Sequence, residues 1–433
     1  MSGESLVPRA ARTALRHRAT TDGSQSPALH RVFLIGLALA LAYLVILAGA
    51  YRDGHFLLDA QGRPIANDFV NVFAAGELAL AGDPAAAYDW PQHKAAEVRA
   101  VGHDFANYYG WHYPPTFLFA AAALAALPYL AAAIVWLVVT LAAYAAALAG
   151  ILRNRAGVFL ALGFPAVLWN ITAGQNGFLT AALIGGTLAL LERRPALAGV
   201  CLGLLTYKPQ FGLLFPIVLI ADRRWLTVAV AAFVALALAA LSWLAFGSAS
   251  WQAFAHWMPI TGRVVLGEGA ADWSRLQSLF GFMRAHGTGE PLAWTVQAIG
   301  ALAVAAGLVW LWRGTARASP RPSAMGDDGD GSRAALGIPY EIKAAALAAG
   351  TLIATPYIYM YDLVVLSVAV AFLLRWALPR GISLVEITGL SAAGLLILVF
   401  PYVKTQVGLA AVLIVLALVA YRALLSHTDP AGS

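Results

Sequence analysis

Two charged residues stand where charge is expensive. Asp68 opens an apolar stretch in Asn67-Asp68-Phe69-Val70-Asn71, and Lys208 lies between two apolar runs in Tyr207-Lys208-Pro209-Gln210. An ionisable group at membrane depth is costly to keep and is a functional candidate by default. A carboxylate can take the proton of an attacking hydroxyl, and a buried ammonium can hold an anionic headgroup. Each residue also has a plainer reading. Phe69 to Leu80 carries apolar residues at helical spacing, so Asp68 can cap that helix, a role compatible with catalysis because a cap position fixes the carboxylate. Lys208 can snorkel to the interface, although Pro209 beside it frees backbone groups that must line a cavity. Lys404, in Tyr402-Val403-Lys404-Thr405-Gln406, poses the same choice.

Other polar residues cluster at expected turns. Gln175 and Asn176 follow Gly174 between two apolar runs; a turn explains them, and two amides can also bind sugar hydroxyls. Tyr359, Tyr361 and Asp362 sit at another turn, where tyrosine is ordinary at an interface but a carboxylate at the start of a span is less expected. Asp83 in Gly82-Asp83-Pro84 reads as a turn residue. There is no P-loop, no nucleotide-binding glycine fingerprint, no HExxH and no close pair of histidines, so neither ATP, a cofactor nor a metal is expected. The single cysteine, Cys201, lies in an apolar run and excludes a disulfide framework or a Cys-based metal site.

The elements that must position these residues are membrane helices. Of 433 residues, 61% are hydrophobic and 12% charged, against roughly 45–50% apolar and about 25% charged in soluble domains. A water-soluble enzyme and a disordered chain are both excluded. The net charge of +6 is scattered over arginines at membrane borders and forms no nucleic-acid patch.

Arginine in short loops marks the cytoplasmic side. With Arg153/Arg155, Arg193/Arg194, Arg223/Arg224, Arg313/Arg317/Arg321, Arg375/Arg380 and Arg422 all cytoplasmic, spans fall near 32–50, 129–151, 156–170, 177–191, 225–246, 292–312, 341–356, 361–377, 383–400 and 405–421. Pro128 cuts off a short, partly embedded helix at 116–127, and residues 195–222 form two short broken helices that turn at Tyr207 to Gln210. The total is about 11–13 membrane helices, given ~20 residues per full crossing. The fold class is an all-α polytopic membrane protein. A basic tail at 1–31 precedes one membrane domain at 32–422, and a short tail follows at 423–433. Segments 52–115 and 247–291 face outside, the first with a helix of its own, and the Pro/Gly/Ser-rich stretch 314–339 is a cytoplasmic linker.

These landmarks, in their order, resemble glycosyltransferase family 87, membrane enzymes of the GT-C fold class. The resemblance runs from about residue 32 to 422: Asp68-Phe69, Phe73-Ala74-Ala75-Gly76, Gly82-Asp83-Pro84 with Tyr88, Tyr113-Pro114-Pro115, Leu127-Pro128, Gly174-Gln175-Asn176, Arg194 to Gly199, Lys208-Pro209-Gln210 and Gln277-Ser278-Leu279. Two features depart from it. The family's Trp-Asp-His-like turn is Tyr359-Met360-Tyr361-Asp362 here, without histidine, and the Asn that often precedes Gln-Ser-Leu is Leu276.

The resemblance implies a hexosyltransferase of the cell membrane with its site on the periplasmic or extracellular face. It would move a sugar, with mannose expected, from polyprenyl phosphate to a glycolipid or polysaccharide acceptor, inverting and without metal. Asp68 would be the base. Lys208, then Arg263, Arg275 and Lys404, would hold the donor phosphate. Tyr113, Gln175, Asn176, Gln210, Gln277, Tyr361 and Asp362 would bind substrate, and Trp111, Trp257 and Trp273 could stack on sugars. A transporter or lipid flippase is the competing class. It would use the helix break at Lys208 but leaves the Asp-led outer helix without a role.

Overall fold

The computed structural model describes residues 27–53, 68–270, 272–313, 338–403 and 405–428. Residues 314–337 of the expected linker 314–339, residues 54–67 of the first loop, Lys404, residues 1–26 of the expected basic tail and residues 429–433 of the final tail lie outside them. The described residues form helices and turns only. In chain order the α-helices are α1 (Pro27–Arg52), α2 (Phe69–Leu80), α3 (Trp90–Val101), α4 (Leu118–Ala125), α5 (Tyr129–Leu152), α6 (Ala156–Gly163), α7 (Ala166–Ala173), α8 (Gly177–Leu190) and α9 (Pro195–Leu204). They continue as α10 (Leu214–Ala221), α11 (Trp225–Gly262), α12 (Leu279–Ala285), α13 (Glu290–Trp312), α14 (Tyr340–Ala354), α15 (Leu366–Ala377), α16 (Leu384–Val403) and α17 (Val407–Thr428).

Among the described residues seven helices are long and apolar enough to cross a membrane, or eight if α6 and α7, bent by 63° at Phe164-Pro165, count as one broken span. The protein is thus a multi-pass membrane protein, with fewer full-length crossings than the sequence suggested. The difference is made by shorter apolar helices: 69–80, 115–125, 177–190, 195–207 and 209–221. Their breaks have local causes. Proline cannot continue a helix, and Pro128, Pro165 and Pro209 each stand at one. The return segment at 195–221 forms as expected, with two 3₁₀ turns meeting at Lys208.

The expected end of a helix at 246 falls on a break: Gly247, at φ 75° and ψ 167°, is non-helical and divides α11 into two helical stretches, because glycine takes that conformation without strain. The second stretch, not expected from the sequence, runs to Gly262 and on through a π-helical turn, Arg263–Gly267. The apolar residues Trp251, Phe254 and Trp257 then extend the helical pattern. The second polar segment is therefore mostly helix among the described residues, with loop at 268–270, 272–278 (which includes a 3₁₀ turn) and 286–289.

Burial sorts the bundle into centre and rim. In the 360–380 span 83% of the apolar window is buried, against 11% in α1 and α11, whose remaining faces carry Leu, Val and Phe for lipid. Helix α14 is buried from Ile342 to Ala354. Helix α2 lies against α4 and α3, and α16 pairs with α17.

The bundle has two chemically different ends. Tyr129, where α5 begins, lies within electrostatic reach of Tyr109 and Glu97. Arg153, where α5 ends, lies within reach of Arg375, Arg193, Glu341 and Glu192. The 24 residues between separate these ends by about 36 Å at ~1.5 Å per residue. Arg153, Arg193 and Arg375, three of the arginines used to orient the chain, thus gather at one end, and Tyr109 and Glu97 lie at the other.

Candidate active site

Asp68 occupies the residue before α2, yet its side chain makes no capping bond. The N-cap reading is therefore overturned. The carboxylate points away from its own helix, and its Oδ2 accepts from Gln175 Nε2 at 2.7 Å. Asp68 is half-buried. Burial pushes its carboxyl up to about 6, against the Gln175 hydrogen bond and the charges of Arg275 and Lys208.

Gln175 and Asn176 are fixed by the turn that carries them. Gly174, at φ 67°, ends α7 in the left-handed conformation. Asn170 then straddles the turn, its Nδ2 donating to Gln175 O at 3.0 Å and its Oδ1 accepting from Gly177 N at 2.8 Å. Gly177 has no room for a side chain, since a Cβ there would meet the Tyr361 backbone and Asn170 Oδ1. That close approach brings the 359–362 segment onto the start of α8.

Lys208 is buried, and its ammonium is already committed. It donates to Asp362 Oδ1 at 2.6 Å and to Asn176 Oδ1 at 2.9 Å, between the rings of Phe211 and Tyr361. Asp362 is fully buried, and its other oxygen accepts from Tyr359 N at 3.0 Å. Asn176 Nδ2 donates to the Tyr113 hydroxyl at 2.6 Å, and that hydroxyl donates on to Gln175 Oε1 at 3.4 Å. Tyr207 closes the back of the group, its hydroxyl 2.6 Å from Thr180 Oγ1 and 3.3 Å from Asn176 O.

Several expected substrate contacts are spent inside the protein. Asn176, Asp362 and Lys208 are buried and satisfied by one another. Gln277 is also buried; its Oε1 accepts from Gly408 N at 2.8 Å and its Nε2 donates to Arg275 O at 3.1 Å. It ties the loop to α17 and holds the backbone of Arg275. Gln210 touches the group only through its carbonyl, which accepts from Thr355 Oγ1 at 3.1 Å. Trp111 is buried against Tyr113 and Phe117, Trp273 lies under Arg284 with its Nε1 donating to Leu266 O, and Trp257 packs on Trp90.

Arg275 is exposed and lies within electrostatic reach of Asp68, Tyr109 and Tyr359. It is brought to the site from the second loop. Arg263 is exposed in the π-helical turn of the helix before it.

Tyr361 was expected at the site; the missed feature is the row of tyrosines that Tyr357 and Tyr359 form with it. Tyr357 meets Tyr359 edge to face, with ring centroids 5.1 Å apart, and Tyr359 stacks on Tyr361 at 5.4 Å. All three are half-exposed, whereas Ile358 and Met360 between them are buried. The signal was their alternation: an extended stretch puts every second residue on one face. Electrostatic coupling of all three to Asp68 places them around it.

The group can therefore offer a rigidly held carboxylate of raised basicity, an aromatic wall and an exposed guanidinium, at the end of the bundle away from the arginine cluster. The sequence model of glycosyltransferase family 87 matches residues 111–325, which include Tyr113, Gln175, Asn176, Lys208, Arg275 and Gln277. No curated protein and no solved structure matches the chain significantly. With its landmarks in order and its all-helical membrane architecture, the chain belongs to glycosyltransferase family 87, as a multi-pass membrane glycosyltransferase.

Proposed function

We propose that the protein transfers a hexosyl group, with mannose as the expected sugar, from polyprenyl phosphate to a glycolipid or polysaccharide acceptor on the outer face of the cell membrane. The observation that carries this reading is Asp68, a half-buried carboxylate held through one oxygen by Gln175, ringed by tyrosines and close to Arg275. A lipid-linked sugar reaches such a site from the bilayer.

In the reaction the acceptor hydroxyl oxygen attacks the anomeric carbon while Asp68 takes the hydroxyl proton. The bond from that carbon to the phosphate oxygen breaks, and polyprenyl phosphate leaves with the electron pair. A single displacement inverts the anomeric configuration. The phosphate gathers charge as it leaves and needs a cation with free protons. Arg275 fits that need better than Lys208, whose ammonium is shared between Asp362 and Asn176; Arg263 and Lys404 are secondary. A planar guanidinium also suits two phosphate oxygens at once. The stacked tyrosines supply apolar faces for a sugar ring.

The test is turnover. Purified protein is incubated with polyprenyl-phosphate hexoses and a panel of glycolipid acceptors, alongside Asp68→Asn. Glycosylated acceptor formed by the wild type and lost in the variant supports the reading. Movement of the lipid-linked sugar across vesicles without transfer would replace it with the flippase alternative.

A further inference from the structure

We propose that Lys208 and Asp362 serve the reaction as positioning residues, fixing the direction of a hydrogen-bond relay that runs through Asn176, Tyr113 and Gln175 to Asp68. This rests on Asp68 being the base. The argument is an inventory of protons. An ammonium can only donate. With Lys208 held by Asp362 at 2.6 Å, the atom of Asn176 that faces it at 2.9 Å must be the carbonyl oxygen. The amide is thereby oriented, and its Nδ2 meets the Tyr113 hydroxyl at 2.6 Å. A hydroxyl that accepts there has its own proton free, and it is directed at Gln175 Oε1, 3.4 Å away. The backbone N–H of Asn176 donates to that same oxygen at 3.2 Å. Gln175 has only Nε2 left for Asp68, and it donates to Oδ2 at 2.7 Å.

Were either amide turned over, like poles would meet: N–H against ammonium at Asn176, carbonyl oxygen against carboxylate at Gln175. A charge pair at one end of the relay thus dictates that a donor meets Asp68 at the other. A donor to a carboxylate favours its ionised form, the form a base needs. It also engages Oδ2 and leaves Oδ1 for the acceptor hydroxyl.

Other charges act on Asp68 as well. Arg275 and Lys208 favour ionisation and Asp362 opposes it. Asp68 in turn acts on Glu97, Tyr109, Tyr113, Tyr357, Tyr359 and Tyr361. The informative variant is therefore Lys208→Met/Asp362→Asn. It removes one favouring and one opposing charge together, leaves no unpaired ion in the interior, and keeps an oxygen at 362 for Tyr359 N. What it takes away is the obligate donor. Lys208→Arg keeps that donor and serves as the rescue.

Protonation of Asp68 is followed without substrate, by infrared difference titration of the full-length protein in detergent against Asp68→Asn. In parallel, kcat/KM is measured across pH. The double variant should move the titration midpoint and the acid limb of kcat/KM up together by about one pH unit, a tenfold change in the ionisation equilibrium. Donor KM should stay within a few-fold, and Lys208→Arg should restore most of the shift. An unchanged midpoint in the folded double variant overturns the relay, as does a loss of rate equal at every pH. A midpoint that moves while the acid limb stays put upholds the relay and overturns Asp68 as the base. Should the double variant not fold, Asn176→Ala cuts the relay with the ion pair intact and is read by the same two curves.

Discussion

Asp68 and Arg275 are the side chains whose replacement is most informative. Asp68 makes no capping bond, so Asp68→Asn removes a proton acceptor and not a helix cap. Asn can still accept from Gln175 through its own oxygen. Normal expression and thermal stability in detergent are expected, with transfer reduced about 10²–10⁴-fold; a folded Asp68→Asn within a few-fold of wild type would exclude it as the base. Because burial pushes the carboxyl up to about 6, the wild-type acid limb of kcat/KM should fall near pH 6. Below that pH the base is protonated and the rate drops tenfold per unit. At Arg275 the effect should fall on the donor. Losing a charge-assisted hydrogen bond costs about 1.5–3 kcal/mol, so Arg275→Ala should raise donor KM by roughly 10- to 100-fold. Arg275→Lys should restore only part, because a point charge cannot grip two phosphate oxygens. An unchanged donor KM in Arg275→Ala would move the phosphate elsewhere.

At the scale of elements, α2 and α3 form the polar platform beside the site, and α3 carries an unusual burden. His93 and Glu97 are both fully buried on it. Burial pushes Glu97 up to about 8, against Lys94 and the Tyr109 N–H that donates to it at 3.1 Å. Burial likewise drives His93 down to about 3 and His112 to about 4. His93, His112 and Glu97 are thus neutral at pH 7, with Glu97 carrying a proton that the unfolded chain would have released. The folded state binds more protons than the unfolded one between about 4.5 and 8, so stability falls as pH rises across that window. Glu97→Gln keeps the shape without the titration. Its melting temperature in detergent should match wild type near pH 5 and exceed it increasingly toward pH 9. Parallel curves for the two proteins would show that Glu97 is ionised in the fold.

For the whole molecule, the separation of arginines from active-site groups predicts sidedness. Gln92 is exposed on α3 at the site end, and Glu192 is exposed beside Arg193 at the other. In a Cys201→Ala background, an impermeant thiol reagent applied from outside the cell should label Gln92→Cys and spare Glu192→Cys. Labelling of both only after permeabilisation, or of Glu192→Cys alone, would reject the orientation.

Class was legible from the chain because it depends on composition. Too few charges for a wet surface and apolar runs of bilayer length leave a helical membrane protein, and prolines locate interrupted helices at Pro128 and Pro209; the break at Pro165, inside the expected span 156–170, was not anticipated. Helix α2 was legible to its boundaries from its apolar spacing, and Asp68 and Lys208 from the cost of charge at depth. What those side chains touch was decided by tertiary packing. Asp68 reads as a cap because sequence shows only its neighbours, while its partner Gln175 lies 107 positions away. Lys208 reads as a free cation because nothing local reveals Asp362, 154 positions on, which neutralises it. The helix that resumes after the break at Gly247 was hidden because Gly247-Ser248-Ala249-Ser250 reads locally as the start of a loop. Sequence carries the cost of placing a polar group; only the folded contacts show what compensates that cost.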